Sequence, residues 1–336
     1  MSATETISVA ALEEVVTRVF AAARTSVSTA RSVSRALVGA EIDGQGGHGL
    51  SRVASYRAQA LAGKIDGAAM PTVTRTRPGS LVVDAAFGFA FPAFDAAITA
   101  IPPAARETGI AAAAVVRSHH CGQLGRHVER LAEQGLVALL FANTPGAMAM
   151  AGGTKPVFGT NPIAFAAPLR DRPPVVVDMA LSTVARGKIL SASQKGAAIP
   201  EGWAYDREGQ PTTDAKAALA GSLAPMGGAK GAALAFMVEV LAVAIGGQHF
   251  AFEASSFLDA EGGPPAVGQL LIAIDPDAFA AHGVLLDRMG VLAARIEGDG
   301  TARLPGSRRI VLRERAARDG LTLAADTLAE LRRLAG

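Results

Sequence analysis

A single cysteine, Cys121, stands among the 336 residues, so no disulfide can close within the chain, and a reducing cytoplasm is the expected setting. Charge is scarce: acids and bases make up 18% of the residues and nearly cancel to a net +2. Lysine and arginine are scattered, and aromatic residues, only 5% of the chain, do not interleave with them as stacking platforms for nucleic acid would require, so no nucleic-acid partner is expected. Uncharged apolar runs fall short of the roughly 18 residues that a membrane span needs. The opening segment MSATETISVAALEEVV carries acids where a secretion signal would carry bases, so export is not expected, nor, with the missing spans, a membrane role. What is plentiful is apolar residues, half of the total, enough for one large core or a few smaller ones.

Those residues recur at helical spacing over 7–23 and 30–42 and again over 323–334. Between the ends the texture changes to short apolar runs at 81–83, 110–116, 136–141, 163–167, 175–177 and 270–274, which read as buried strands. They alternate with helical patterns at 94–108, 126–134, 183–193 and 230–245, so the fold class is α/β. Residues 262–265 read as a surface turn.

One motif misleads. Gly44, Gly46 and Gly49 satisfy G-x-G-x-x-G, which in a dinucleotide-binding unit follows a buried strand and opens a helix. Here the preceding residues, TARSVSRALVGAEI, place Arg31 and Arg35 at helical spacing, so the Rossmann interpretation fails on context.

Six segments hold the residues able to do chemistry. His48, between Gly47 and Gly49, offers a proton-transfer group, and Arg52 a fork that can hold a carboxylate bidentately; a structural histidine in a turn reads equally well. RSHHCGQLGRH follows the run at 110–116, at a strand end where α/β proteins place ligands. His119, His120 and Cys121 suggest a metal, but neighbours on an extended chain point to opposite sides and no further ligand set stands at metal spacing, so none is expected. Thr160, in the turn of KPVFGTNPIAF, can donate to a substrate carboxylate, while Asn161 and Pro162 are explained by the turn itself. Asp178 ends a strand, where it can orient a ribose or a histidine or simply cap a helix, and Arg186 and Lys188 follow. The paired glycines before Lys230 expose backbone N–H groups at a helix start, suited to phosphate. Arg303, Arg308 and Arg309 surround a Pro305–Gly306 turn and can either grip a 2′-phosphate or lie solvated at the surface.

Taken in order, GHGLSR (47–52), SHHCG (118–122), FGTNPIAF (158–165), DMALSTVARGK (178–188) and GGAKG (227–231) resemble the malate/L-lactate dehydrogenase type 2 family over nearly the whole chain. The resemblance implies a non-Rossmann NAD(P)-binding α/β domain beside a helical domain made from both chain ends, assembled as a homodimer. On that plan residues 1–75 carry the His48/Arg52 loop, 76–290 form the cofactor and substrate region, and 291–336 return to the helical part. It also implies a nicotinamide cofactor, and the arginines at 303–309 favour NADPH, with NADH possible. His48 matches the histidine of the family's S-H-G-x-x-R motif, Arg52 its carboxylate-binding arginine and Thr160 a substrate-contacting threonine. His120 matches a position that is the proton-transfer residue in some members and part of a cofactor-binding stretch, here His120, Cys121, Gly122, Gln123 and Leu124, in others. Asp178, Met179, Ala180, Arg186, Gly187, Lys230, Arg303, Gly306, Arg308 and Arg309 match cofactor-contacting segments. The chain departs from the pattern at Gly47, where many members have a serine thought to assist the histidine, and at Lys188, a catalytic candidate where cyclic-imine reductases have an aspartate.

Family substrates include malate, lactate, sulfolactate, ureidoglycolate and diketogulonate, and the cyclic imines Δ1-pyrroline-2-carboxylate and Δ1-piperideine-2-carboxylate. The doubled histidine and the R-L-P-G-x-R-R turn resemble the imine reductases, whereas DGQGGHGLSR resembles the sulfolactate group. The expected reaction is hydride transfer from NADPH to C2 of a cyclic imino acid. A 2-hydroxy-acid dehydrogenase is the alternative, and a non-catalytic binding or scaffold protein of the same fold the third.

Overall fold

The computed structural model describes residues 3–336. Its central element is a seven-stranded sheet in the spatial order Thr72–Arg77, Ser80–Asp84, Ile110–Ser118, Val267–Ile274, Val137–Ala142, Ile163–Leu169, Arg172–Met179. Ser80–Asp84 and Ile110–Ser118 run parallel; every other neighbouring pair is antiparallel. The central strand reads VGQLLIAI and is buried on both faces, which is why it appears as a continuous apolar run rather than an alternation. Each of the six expected strands is present. The seventh, TVTRTR, is an exposed edge strand: its polar and charged side chains protect the open edge and leave no apolar run to read.

Helices Ala90–Thr108 and Leu124–Ala132 cover one face, placing Phe94, Ile98, Ile101, Val128 and Leu131 against strand residues such as Val83, Val115 and Leu140. Each fully buried side chain of this size contributes about 1.5–3 kcal/mol. A second core unites the chain ends: Leu12, Val16 and Phe20 of Val9–Ala21, Leu37 of Val27–Ile42, Tyr56 of Val53–Ala62, and Leu328 and Leu331 of Ala325–Ala335. Strand Thr4–Ile7 pairs with Leu321–Ala324. The helices expected to begin at residues 7 and 323 are thus each preceded by a strand. Ser8, extended at φ −66° and ψ 152°, caps the first helix by accepting from the Ala11 N–H.

A third core, with Met148, Phe158, Leu181, Ile189 and Val238, lies between a small four-stranded sheet and helices Arg186–Gln194 and Ala229–Glu239. The helix expected from residue 183 starts only at Arg186, because the chain is still extended at Ala185, φ −69° and ψ 134°. The one expected over 230–245 is α-helical to Glu239 and passes into a π-turn over Val240–Ala244. Helices Val284–Glu297 and Ser307–Asp319 were not anticipated; the latter, SRRIVLRERAARD, buries only Arg309 and Ala316 and carries too little apolar periodicity to read.

Candidate active site

The G-x-G-x-x-G segment follows helix Val27–Ile42, not a strand, and winds through two short 3-10 turns, Gly46–His48 and Leu50–Arg52. Gly44 adopts φ +75° to leave the helix. The Leu50 N–H donates to the Glu41 carboxylate at 3.0 Å. A Cβ on Gly49 would run into that carboxylate and come within 3.0 Å of the Glu41 backbone nitrogen. The glycines therefore let the loop close on Glu41. Asp43, fully buried at the helix end, anchors the segment to Arg313, which donates to it at 2.6 and 2.7 Å and also to Glu129 at 2.9 and 2.8 Å.

The next helix, Val53–Ala62, carries a face the sequence reading missed. Arg52, Tyr56 and Gln59 recur at i, i+4 and i+7, so one turn after another presents them to the same side. The Arg52 Nε–H donates to the Gly47 carbonyl at 2.7 Å, while its two terminal nitrogens have no partner among the described residues. Strand Ile110–Ser118 ends by delivering two histidines to this face. His120 Nδ1 meets the Tyr56 hydroxyl, and His119 Nε2 meets Gln59 Oε1 at 2.9 Å. Gln59 Nε2 donates to the Phe257 carbonyl at 2.9 Å, and the Phe257 ring lies 5.1 Å from both histidine rings. The rings of His48 and His120 stack, centroids 5.3 Å apart and planes within 11°. Lys64, its side chain 1% exposed, donates to the carbonyls of Ser256, Asp259 and Glu261 and so fastens the loop that carries Phe257.

Burial and, after it, the Arg52 guanidinium push the His48 pKa down to about 4 and hold His120 well below 6.5. His119 falls to about 3 through burial, then Lys64 and Arg52. All three rings are neutral at pH 7. Burial raises the Cys121 thiol to about 12, so it is no thiolate nucleophile. Among the described residues no group of three or more His, Cys, Asp or Glu is placed to hold a metal, and no helix is long and apolar enough to cross a membrane.

A second grouping lies at the start of helix Leu124–Ala132. Asp178 accepts from the Gly125 N–H at 2.7 Å, and burial raises its carboxyl to about 6. It caps this helix from a neighbouring strand rather than the helix that follows it in sequence. The turn at 303–309 abuts the same strand through the Val176 N–H and the Pro305 carbonyl, 3.4 Å apart, with Gly306 at φ +79°. Arg309 is buried and paired with Glu129 at 3.2 Å, so the three arginines do not face one ligand together; Arg303 and Arg308 are exposed. Gln123 Oε1 is sealed from solvent without a partner among the described residues, next to Gly122 and Leu124.

A third grouping surrounds Thr160, whose N–H donates to Thr144 Oγ1 at 2.9 Å and whose carbonyl accepts from Leu181 at 2.8 Å. Asn161 ties this turn to helix Ala229–Glu239 by donating to the Ala235 carbonyl and to Glu239, at 2.9 and 2.7 Å. That helix starts after Gly227 and Gly228 without a side-chain cap, with Lys230 exposed in its first turn. Met179, Arg186, Gly187 and Lys188 are exposed and Ala180 is half-buried; Arg186 reaches only the Gly146 and Leu219 carbonyls, at 3.5 and 3.4 Å. None of the hydrogen bonds of Thr160 reaches the histidine cluster, and Lys188 makes no side-chain hydrogen bond or ion pair among the described residues.

The family model for malate/L-lactate dehydrogenase matches residues 7–332. The chain is 48% identical, over 98% of its length and 95% of the relative's, to (2R)-3-sulfolactate dehydrogenase (NADP(+)) of Chromohalobacter salexigens. It is 39% identical, over 99% and 97%, to the Δ1-pyrroline-2-carboxylate/Δ1-piperideine-2-carboxylate reductase of Pseudomonas syringae pv. tomato. The crystal structure of Δ1-piperideine-2-carboxylate reductase from that organism superposes with a TM-score of 0.93 at 38% identity, covering 98% of this chain and 99% of the other. The mixed α/β fold is therefore that of these enzymes, and the chain belongs to the malate/L-lactate dehydrogenase family of oxidoreductases.

Proposed function

We propose that this enzyme uses NADPH to reduce a small cyclic 2-imino carboxylate, converting Δ1-pyrroline-2-carboxylate to L-proline and Δ1-piperideine-2-carboxylate to L-pipecolate. The observation that carries this reading is the unpartnered fork of Arg52 beside two stacked histidines held neutral. The fork takes the substrate carboxylate, with Thr160 as a second donor. Reducing a ketone needs a proton at oxygen, and neither histidine is charged at neutral pH to give one readily. A cyclic iminium brings its own proton: hydride adds at C2, the C=N π pair moves onto nitrogen, and a neutral amine results. The lost hydroxyl at Gly47 then costs little, and exposed Lys188 is not required. The name of the Pseudomonas syringae relative, a reductase of these two imines, points the same way.

Bound NADPH supplies the hydride. The chain's own residues fit it: the uncapped N–H groups after Gly227 and Gly228 suit the pyrophosphate, with Lys230 and Arg186 adding charge. The remaining contacts are assigned to Asp178, to Gln123, whose side-chain oxygen has no partner among the described residues, and to the backbone of His120, Cys121, Gly122, Leu124, Met179 and Ala180. Gly187, where a Cβ would meet nothing within 4 Å, allows close backbone approach, whereas Gly306 is packed against the Val176 carbonyl. Arg303 and Arg308 are the cations available for a 2′-phosphate, because Arg309 is committed to Glu129. On this reading residues 76–290 form a non-Rossmann cofactor unit, residues 1–75 and 291–336 the helical unit, and the enzyme works as a cytoplasmic homodimer.

A second reading, a 2-hydroxy-acid dehydrogenase of the sulfolactate type, is favoured by the 48% identity to such an enzyme. The test is NADPH oxidation with Δ1-pyrroline-2-carboxylate, Δ1-piperideine-2-carboxylate, pyruvate, oxaloacetate and sulfopyruvate in parallel. Dominance of the cyclic imines in kcat/KM supports the first reading; dominance of a linear 2-oxo acid replaces it with the second. Equal kcat/KM with NADH and NADPH removes the role given to Arg303 and Arg308.

A further inference from the structure

The two stacked histidines are not equivalent, and the difference comes from what each places behind its ring. Tyr56 is fully buried, and among the described residues its hydroxyl has one hydrogen-bond partner, His120 Nδ1. Burial raises the phenol pKa, so the hydroxyl keeps its proton. That proton has Nδ1 as its acceptor; the opposite arrangement, with Nδ1–H donating to the phenol oxygen, would leave a buried O–H without an acceptor. With Nδ1 accepting, neutral His120 carries its hydrogen on Nε2. This nitrogen is neither bonded among the described residues nor sealed from solvent.

His119 is fixed by the same logic but put out of use. The Phe257 carbonyl can only accept, so Gln59 turns its NH2 toward it and its oxygen toward His119 Nε2, which must then be the protonated nitrogen. Its Nδ1 is sealed. Among the described residues His48 has no partner at either nitrogen: Nδ1 is sealed and alone, and none of them selects its tautomer.

We propose that Tyr56 is a positioning residue that fixes His120 as a hydrogen-bond donor through Nε2, which leaves His48 as the member of the stacked pair able to accept. Resting on the imino-acid reading, this divides the work: His120 donates to a carboxylate oxygen or an unprotonated C=N or C=O group, and the His48 Nε2 lone pair accepts the N–H of a cyclic iminium. A substrate offering only acceptors uses the first group alone.

The tautomer can be read without substrate. In protein labelled with 15N-histidine, long-range 15N–1H spectra, assigned with a His120→Gln variant, are expected to show His120 bare at Nδ1 and protonated at Nε2. In Tyr56→Phe, an isosteric change, the His120 signals are expected to move toward a mixture of tautomers. With Δ1-pyrroline-2-carboxylate, kcat should then fall by about tenfold, the loss of one oriented hydrogen bond, with KM for substrate and for NADPH within about twofold. A His120 protonated at Nδ1 in the unsubstituted enzyme overturns the inference, as does a Tyr56→Phe variant whose tautomer and kcat are both unchanged. If the spectra come out as expected but no cyclic imine is turned over, the substrate reading fails and the role of Tyr56 stands. Should Tyr56→Phe not fold, the spectrum of the unsubstituted enzyme alone decides.

Discussion

Replacing Arg52 by lysine tests the carboxylate site most directly. The Arg52 Nε–H is held by the Gly47 carbonyl at 2.7 Å, which aims the two terminal nitrogens while leaving both unpartnered among the described residues. A carboxylate seated there gains two charge-assisted hydrogen bonds, each worth about 1.5–3 kcal/mol. Lysine keeps the charge and one such bond, but loses the second and the bond that aims the group. The expected cost is about 2–3 kcal/mol, or roughly 30- to 150-fold in kcat/KM, most of it in KM because the carboxylate is bound alike before and during hydride transfer. Initial rates of NADPH oxidation measure this, with NADPH affinity by fluorescence as the control for an intact fold. The carboxamide analogue of the substrate sharpens it: that compound should be a poor substrate for both enzymes, and the two should differ by less than about threefold. Arg52→Lys retaining kcat/KM within about twofold, or an equal penalty on the carboxamide, refutes the assignment.

The buried histidines give a pH prediction. Burial lowers His119 to about 3 and His127 to about 4, below the unfolded value near 6.5, so the unfolded chain binds more protons in between. Their contribution is complete above about pH 6.5 and is lost as the pH falls, on the order of 3 kcal/mol for each by pH 4; a urea midpoint that stays flat from pH 8 to pH 4 contradicts it. Lys64→Met leaves three loop carbonyls without their donor and should destabilise the protein by about 3 kcal/mol, with new proteolytic cleavage in residues 256–261 and a raised KM as Phe257 loosens. Stability and a cleavage pattern like those of the unsubstituted enzyme would exclude that role for Lys64. A Cβ at Gly47 meets nothing within 4 Å, so Gly47→Ser should fold with a change of about 0.5 kcal/mol or less, whereas Gly49→Ala drives a methyl group into Glu41 and should cost well over about 1 kcal/mol; equal melting temperatures would contradict the loop geometry.

The strands were legible because sheet burial writes itself into sequence as short apolar runs, and all six that were read lie in the main sheet. Its exposed edge, Thr72–Arg77, left no such trace. The pairing of Thr4–Ile7 with Leu321–Ala324 was hidden for another reason: the partners lie at opposite ends of the chain, and periodicity is a local signal. Asp178 shows the same limit. Its place at a strand end was readable, but the helix it caps begins at Leu124, and only folding brings the Gly125 N–H to it.

The sequence by itself determined the α/β class, most of the elements, the failure of the glycine motif as a dinucleotide loop, and the chemical inventory of His48, Arg52, His120 and Thr160. Tertiary structure decided which of these work together. It stacked His48 on His120, placed Tyr56 and Gln59 behind two histidines more than half a hundred residues away, and spent Arg309 on Glu129. Tyr56 and Gln59 left a faint signal in their spacing from Arg52. Their meaning depended on the partner across the interface, because a hydrogen bond or a depressed pKa belongs to a pair of groups and the water excluded around them, and a linear chain does not specify that pair until it folds.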